Sequence, residues 1–319
     1  VKVASTAAIA RLRGASREQT LSALSHAFVD GQSLRTYRHA PNAGSRKSWA
    51  AGDATSRAAR LVDIAMRGEM GIPGVLSAPH WGFCDVSFSH SNRDLSLKPE
   101  DTRRLRLPQS FGSYVMENIL FKLSFPAEFH AQTACEAAVT LHPEVKGRLD
   151  EIERIELTTH ESAIRIISKE GALANPADRD HCLQYMVAVP LMLGELQAEH
   201  YEDDFHQAHP EIDELRARMV VVEDEGYTRD YLDPDKRSIA NAVRVVFTDG
   251  SATDKVEVAY PIGHRRRREE GMAVLEAKCR RHLATRFAPG RCDEIMTLYQ
   301  DAERLATTPV HRFVDLLVL

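Results

Sequence analysis

Five basic side chains cluster in one stretch near the start of the chain, and four of them are candidates for chemistry: Arg35, Arg38, His39 and Lys47, with Arg46 as the fifth. The stretch is rich in Gly, Pro, Asn and Ser, which favours a loop, and no acidic residue lies between residues 31 and 52. Arginine binds carboxylates bidentately and lysine supplies a point charge. These side chains could therefore converge on a small anion with several carboxylates. The alternative is a solvated basic loop.

A second pair of polar residues flanks a bend. Phe125-Pro126 interrupts an apolar stretch, because proline lacks a backbone donor and disfavours helical backbone in the residue before it. Lys122 lies before this bend, and His130 lies after it, in the first turn of a helix predicted to start near Ala127. A bend between apolar elements can bring polar groups to a buried cleft. The alternative is a subdomain boundary at which Lys122 reaches solvent.

A third candidate is the charged run Asp178-Arg179-Asp180-His181, which precedes an apolar helix. Arg179 or His181 could project into a cleft, where histidine is the commonest general base because its ordinary pKa is about 6.5. The alternative is a helix cap made by Asp178 together with a local ion pair.

Other patterns point away from chemistry. The run 265–268 is all arginine, but Glu269 and Glu270 follow it, which favours a solvated helix start over a nucleic-acid patch. His206 and His209 lie in an acidic segment, and the chain has no HExxH, so no metal site is predicted. The sequence also lacks the GxGxxG and GxSxG patterns of dinucleotide-binding proteins and α/β-hydrolases.

The elements that must position these residues are mainly helical. Ser16 and Gln19 form a capping box ahead of the first predicted helix. Apolar periodicity predicts helices over residues 16–28, 48–67 and 127–141, from Asp178 to just before Pro190, over the charged segment 196–219, and from 265 onward. Gly68 could terminate the second of them.

Strands are predicted in the middle of the chain. Ile155 and Leu157 alternate with polar neighbours, whereas Ile164 and Ile166 permit either a strand or a helix. The stretch 242–260 alternates on both sides of Asp249-Gly250, which favours a hairpin with a loop of two or more residues. The order of elements predicts an α+β domain inserted into a helical one.

Composition narrows the class of protein. The chain has 319 residues, 43% of them hydrophobic, so it can bury a sizeable core as one or two domains. No apolar run reaches about 18 residues and no signal peptide is visible, so we expect neither a membrane span nor secretion. Five cysteines without a CxxC pair favour reduced thiols in an intracellular protein, and a net charge of −5 gives no general reason to bind nucleic acid.

Several long segments resemble the MmgE/PrpD family. They are GQSLRTYRHAPNAGSRKSWAAGDATSRAARL (31–61), YVMENILFKLSFPAEFHAQTACEAA (114–138), NPADRDHCLQYMVAVPL (175–191), YLDPDKRSIANAV (231–243) and YPIGHRRRREEG (260–271). The resemblance runs over nearly the whole chain. The second and third segments are similar to the 2-methylcitrate dehydratase branch more than to cis-aconitate decarboxylases.

The resemblance implies a fold and an activity. The fold is mainly α with an inserted α+β lid: helical domain 1–111, lid 112–263 and a helical return 264–319. The activity is the loss of water from 2-methylcitrate, and possible use of citrate stays open. The family needs no metal, iron–sulfur cluster or other cofactor and forms homodimers. It is cytoplasmic in bacteria and mitochondrial in fungi, and the polar stretch 89–110, expected to be an exposed insertion, favours the fungal type.

The resemblance also implies roles for the candidate residues. Lys47 and Lys122 match the lysines of the cleft, although Lys122 lies four residues before the proline where many relatives have three. With His39 and His181 they form the expected catalytic set. The expected substrate-binding residues are Arg35, Arg38 and Arg179.

Family members have a further helical segment ahead of the matching region, and it supplies acid/base residues to the cleft. We therefore expect these 319 residues to be the C-terminal two thirds of such an enzyme. A cis-aconitate decarboxylase and a non-catalytic binding or scaffold protein are the alternatives.

Overall fold

The computed structural model describes residues 1–31, 34, 36–38, 42–88 and 119–319. The chain divides into two compact units, residues 1–112 and 113–319. The described residues are mainly helical, with one four-stranded mixed sheet in the second unit. This confirms the predicted fold class. The boundaries 1–111, 112–263 and 264–319, with a helical return, stay a prediction.

The described part of the first unit is helical. The helices described there are α1 (Lys2–Leu12), α2 (Arg17–Val29), α3 (Arg46–Met66) and α4 (Phe83–Phe88), with a 3-10 turn at Thr36–Arg38. The predicted capping box of Ser16 and Gln19 is confirmed. Small side chains let the first three helices pack closely around a core that includes Ala10, Ala23 and Val62. Gly68 follows α3 at φ +99°, a backbone conformation that favours glycine.

The second unit alternates helices with strands. Its helices are α5 (Gln132–Val145), α6 (Glu161–Ile167), α7 (Pro176–Arg179), α8 (Leu183–Leu193), α9 (Asp203–Ala208), α10 (Glu211–Ala217), α11 (Glu225–Leu232), α12 (Arg268–Ala284), α13 (Pro289–Gln300), α14 (Ala302–Thr307) and α15 (Val310–Asp315). The 3-10 turns are Phe129–Ala131, Leu149–Glu151, Ala198–Tyr201 and Arg265–Arg267. The strands are β1 (Ile152–Thr159), β2 (Met219–Glu223), β3 (Asn241–Phe247) and β4 (Val256–Val258).

The sheet has the order β2-β1-β3-β4. β1 pairs parallel with β2 and antiparallel with β3, with Leu157 opposite Val243, and β3 pairs antiparallel with β4. This confirms the predicted strand at Ile155 and Leu157 and the hairpin around Asp249-Gly250. The last pair in register at one end is Thr158 with Ala242, so the residue after β1 lies near the residue before β3.

The core of the second unit is built where α5 and α8 pack together beside the sheet. Ala134, Ala137 and Ala138 are fully or almost fully buried on α5, and their small side chains permit the close approach of the two helices. Every residue of α8 from Leu183 to Leu191 is buried. A helix that is apolar on all sides must lie inside a protein, and this one does.

The structure corrects two local predictions and decides between the two options that the sequence left open at a third place. Asp178 lies inside α7 and does not cap a helix; Asn175 is the cap, since its side chain accepts from the Asp178 amide at 3.1 Å. The buried helix does not end before Pro190 but continues through it to Leu193 and stops at Gly194, because burial of the whole helix outweighs the hydrogen bond that proline removes. Ile164 and Ile166, where the sequence permitted a strand or a helix, lie in the helix α6.

Two predictions fall outside the described residues: the exposed insertion at 89–110 and the first part of the apolar lead-in at 115–121. Among the described helices, none combines the length and the apolar character that a membrane crossing requires.

The segment that carries Lys122 is held against the C-terminal part of the second unit. The Phe121 amide donates to the Gly263 carbonyl at 3.3 Å, Arg268 donates to the Ile119 carbonyl at 3.2 Å, and Lys278 on α12 donates to the Lys122 carbonyl at 2.6 Å. Gly263 has φ +99°, and a Cβ there would lie 2.2 Å from the Phe121 carbonyl oxygen. Only glycine fits this position.

The substitution Gly263→Ala is expected to lower the free energy of unfolding by on the order of 3 kcal/mol, because it adds a clash with backbone to a strained φ. Gly250→Ala is the matched control: Gly250 has φ +82° but open space around its Cβ position, so about 1 kcal/mol is expected. Urea denaturation followed by circular dichroism measures both. Equal losses would show that the contact with Phe121 is not a constraint.

Candidate active site

The bend at Phe125-Pro126 is fixed by a buried side chain from the helix that follows it. The Gln132 carboxamide donates to the Phe125 carbonyl at 3.1 Å and to the Ala127 carbonyl at 2.8 Å. Both acceptors would otherwise lack partners in the apolar interior, so this side chain satisfies the bend. The bend holds Lys122 on one side and His130 on the other.

His130 is anchored through its backbone. Its amide donates to the Glu128 carboxylate at 2.7 Å, which caps the 3-10 turn Phe129–Ala131. Its carbonyl accepts from the Asn241 side chain at 2.8 Å, and Asn241 also donates to the Thr133 hydroxyl at 2.7 Å. The start of α5 is therefore tied to the start of β3, and the direction of the His130 side chain is set from both sides.

The His130 ring meets a second buried histidine. His130 Nδ1 lies 2.9 Å from His160 Nε2, which is hydrogen-bonding distance. His160 follows directly after β1 and precedes α6. The half-buried Tyr231 of α11 stacks on His160 at 4.6 Å between ring centroids and contacts the edge of His130 at 5.4 Å. Three elements thus meet around one imidazole pair.

Burial keeps both rings neutral. It lowers the pKa of His130 from 6.5 to about 4, and electrostatic effects of His181 and Lys122 add to this shift. The pKa of His160 is lowered to about 4 by burial and then by His130, against smaller opposing effects from the Ala240 backbone, Glu128 and Glu161. A neutral imidazole at neutral pH can accept a proton.

Cations gather on the Lys122 side of this pair. Lys278 is half-buried, and its pKa is lowered by burial, then by the charges of Arg281 and Lys122. Like charges repel at short distance, so such a grouping is stabilised by an anion placed among them. The Lys122 side chain itself is exposed and accessible to a ligand.

The structure brings two of the sequence-predicted residues to this place. Lys122 and His181 both act electrostatically on His130, so they belong to the same neighbourhood. His181 is half-buried, and its Nδ1 lies 2.9 Å from the Asp180 carboxylate.

Arg179 has a different environment. Its side chain is only 2% exposed, and its guanidinium donates to the Tyr201 carbonyl at 2.6 Å and pairs with Asp203. His206 Nδ1 lies 3.3 Å from Nη1 of the same guanidinium. These contacts join α7 to the segment around α9. A role for Arg179 in substrate binding stays a prediction.

The remaining candidate residues belong to the first unit, and the structure gives the local position of two of them. Lys47 is half-buried in the first turn of α3, and the Arg38 backbone lies in the 3-10 turn Thr36–Arg38. Arg35 and His39 fall outside the described residues. The convergence of these four residues on one anion stays a prediction.

Within the ranges that the structure describes, no group of three or more His, Cys, Asp or Glu side chains could hold a metal ion. The chemistry available from the described side chains of the second unit is that of a neutral imidazole base near the lysines Lys122 and Lys278. This combination suits removal of a proton from a polycarboxylate.

His160, Tyr231 and Lys278 were not predicted from the sequence as neighbours of His130 or Lys122. His160 stands 30 residues after His130, and their hydrogen bond depends on how the 3-10 turn Phe129–Ala131 packs against the start of α6. The one local signal was a histidine placed directly after an alternating strand. Lys278 sits in a charged helix without any distinguishing pattern.

Comparison with known proteins gives two matching family models. The MmgE/PrpD N-terminal domain matches residues 1–96, and the MmgE/PrpD C-terminal domain matches residues 125–302. His130, His160, Lys278 and Tyr231 lie within the second match.

Curated proteins are similar over nearly the whole chain. It is 52% identical to the 2-methylcitrate dehydratase of Escherichia coli K12 over 322 residues, covering 100% of this chain and 64% of the relative. It is 54% identical to the protein of that name from Cupriavidus necator, covering 99% of this chain and 63% of the relative. A mitochondrial 2-methylcitrate dehydratase of Yarrowia lipolytica is 51% identical, with 100% of this chain and 59% of the relative covered. The chain thus spans a little under two thirds of the length of these relatives.

Acidification is expected to destabilise the protein through the imidazole pair. Both histidines have a pKa lowered to about 4, against 6.5 for an ordinary histidine, so the unfolded state binds more protons between these values. The contribution of the two neutral histidines to the free energy of unfolding is therefore fully present above pH 6.5, and it is lost as the pH decreases toward 4. Each histidine should remove on the order of 2 kcal/mol from the free energy of unfolding by about pH 5.

Urea denaturation at about pH 7 and about pH 5 measures this loss. His130→Asn should make the pH dependence shallower by the contribution of one histidine. His311→Asn, at an exposed ring in α15, is the control and should leave the dependence unchanged. If the His130→Asn variant kept the pH dependence of stability that the wild type shows, the lowered pKa would not belong to His130.

Proposed function

Because the chain belongs to the MmgE/PrpD family, we propose that the whole protein is a 2-methylcitrate dehydratase, a carbon–oxygen hydro-lyase that forms 2-methyl-cis-aconitate. The observation that carries the proposal is 52–54% identity, across nearly all of this chain, to bacterial proteins of that name. The buried neutral imidazole beside fixed cations supports it independently.

The reaction breaks a C–H bond beside a carboxylate and a C–O bond on the neighbouring carbon. The electron pair of the C–H bond forms the C=C bond, and hydroxide leaves with a proton as water. Negative charge grows on a group that is already anionic, so the barrier falls when cations are held against it in a site with little water. We assign the proton abstraction to His130 and the charge stabilisation to Lys122 and Lys278.

A base with a pKa near 4 is weak, and the substrate itself corrects this. Burial is the main cause of the low pKa of His130 in the free protein, and electrostatic effects of His181 and Lys122 add to it. A polycarboxylate bound beside them offsets those charges, which raises the proton affinity of the imidazole. The base is therefore kept neutral until substrate arrives, and binding then increases its strength.

The remaining candidates complete the proposal. Lys47, Arg35 and Arg38 would hold further carboxylates, and His39 or His181 would supply the proton to the departing hydroxide. All of these groups are side chains of the protein itself, and we propose no step through a metal or another cofactor.

His130→Gln is expected to lower kcat on 2-methylcitrate by about 10²–10⁴-fold, the range typical for loss of a general base, with a smaller effect on KM. The ultraviolet absorbance of the unsaturated product follows the reaction. His311→Gln is the control, because this histidine is exposed on α15 and should retain full turnover. Full turnover by the His130 variant would remove it from the mechanism, and no turnover by the wild type would overturn the proposed activity.

We also propose that the whole protein forms a homodimer and works in a soluble compartment. That compartment is the mitochondrial matrix for a fungal protein or the cytoplasm for a bacterial one, in keeping with the bacterial and mitochondrial relatives. Light scattering coupled to size exclusion is expected to give twice the mass of one chain. A monomer at micromolar concentration would contradict the dimer.

A further inference from the structure

His160 cannot touch a substrate. The residue is 0% exposed, and one of its two ring nitrogens is occupied by the hydrogen bond from Nε2 to His130 at 2.9 Å. The other ring nitrogen, Nδ1, lies 3.5 Å from the hydroxyl of Thr159, the last residue of β1. Any effect of His160 on chemistry must therefore act through His130.

The His160 ring is held in one orientation. Tyr231 stacks on it with an angle of 24° between the ring planes. The next residue, Glu161, donates its amide to the Thr228 hydroxyl at 2.9 Å, so the start of α6 is bound to α11, the helix that carries Tyr231. The imidazole is clamped between the sheet and α11.

Proton counting then defines the tautomers. A neutral imidazole has one ring nitrogen that donates and one that accepts, so only one of the two histidines supplies the proton of the shared hydrogen bond. His130 Nδ1 is engaged by His160, so a His130 that acts as a base must accept the substrate proton on Nε2. The proton of the neutral His130 ring is then on Nδ1, and His160 Nε2 is the acceptor, with the proton of His160 on Nδ1, where the Thr159 hydroxyl can accept it. The lone pair of His130 is consequently on Nε2, the nitrogen that points away from His160.

We propose that His160 is a positioning residue that holds His130 as the Nδ1–H tautomer and thereby presents its Nε2 lone pair to the substrate. This inference rests on the proposed function. The partner that orients the base is a neutral imidazole and not a carboxylate, so it orients the ring without adding negative charge beside it.

The charged and titratable groups around the pair fit this arrangement. Lys122 and His181 face His130, and Glu128 and Glu161 act on His160 more weakly than burial does. Tyr231 is a neutral ring against both histidines, and burial raises the pKa of its hydroxyl. None of these groups replaces His160 as the hydrogen-bond acceptor of His130 Nδ1 among the contacts of the described residues.

Two substitutions separate positioning from packing. His160→Phe keeps a flat ring against Tyr231 but removes the acceptor, whereas His160→Gln keeps an amide oxygen within reach of His130 Nδ1. We expect His160→Phe to lower kcat by about 10–100-fold with KM nearly unchanged, and His160→Gln to recover most of that loss. Equal loss in both variants, or full kcat in His160→Phe, would overturn the inference.

A measurement on the unmodified protein does not depend on turnover. Long-range ¹⁵N–¹H spectra of protein labelled in histidine at about pH 7 are expected to show His130 protonated on Nδ1 only, and His130→Asn assigns its signals. A proton on His130 Nε2 would overturn the inference whatever the activity. If the Nδ1–H tautomer is present but the wild type does not convert 2-methylcitrate, the proposed function fails and the tautomer assignment stands.

Discussion

The hydrogen bond between two buried imidazole rings governs the arrangement of the second unit. Neither ring can be buried in its charged form without a large cost in free energy, so both are neutral. A hydrogen bond between neutral imidazoles needs a donor on one side and an acceptor on the other, and His130 and His160 can meet only if α5, β1 and α11 hold fixed relative positions. The hydrogen bonds of Gln132 to the bend and of Asn241 to the His130 carbonyl help to hold these elements in place.

The same cations serve two purposes at this site. In the free protein they help to keep the neighbouring imidazole unprotonated. With a polycarboxylate present, they become its counter-charges, and the imidazole then accepts a proton more readily. The bend at Phe125-Pro126 makes this possible, because it holds Lys122 and His130 close to one another although seven residues separate them. The C-terminal helix α12 adds Lys278 and, through its bond to the Lys122 carbonyl, holds the segment in place.

The capping box at Ser16, the strand at Ile155 and the hairpin at Asp249-Gly250 could be predicted because each depends on neighbours within a few residues, through a local hydrogen bond, periodicity or a turn. The fold class followed from the order of such elements along the chain. The predictions at Asp178 and Pro190 were wrong. At Pro190 the complete burial of α8 overrode the local preference of proline. Asp178 belongs to the separate short helix α7, which Asn175 caps, and Cys182 occupies the cap position of α8.

Amino-acid types and their order were enough to establish the family, the helical character, the bend and the presence of Lys122 and His130 on either side of it. The partners of those two residues came from the tertiary structure. His160, Tyr231 and Lys278 are separated from them by 30 residues or more, and apart from the position of His160 after an alternating strand, nothing in their local patterns distinguishes them. Their meeting depends on strand register, helix packing and burial, which are properties of the folded chain. Burial also sets the protonation of the imidazole pair, so the protonation state is a property of the folded chain and could not be predicted from the sequence.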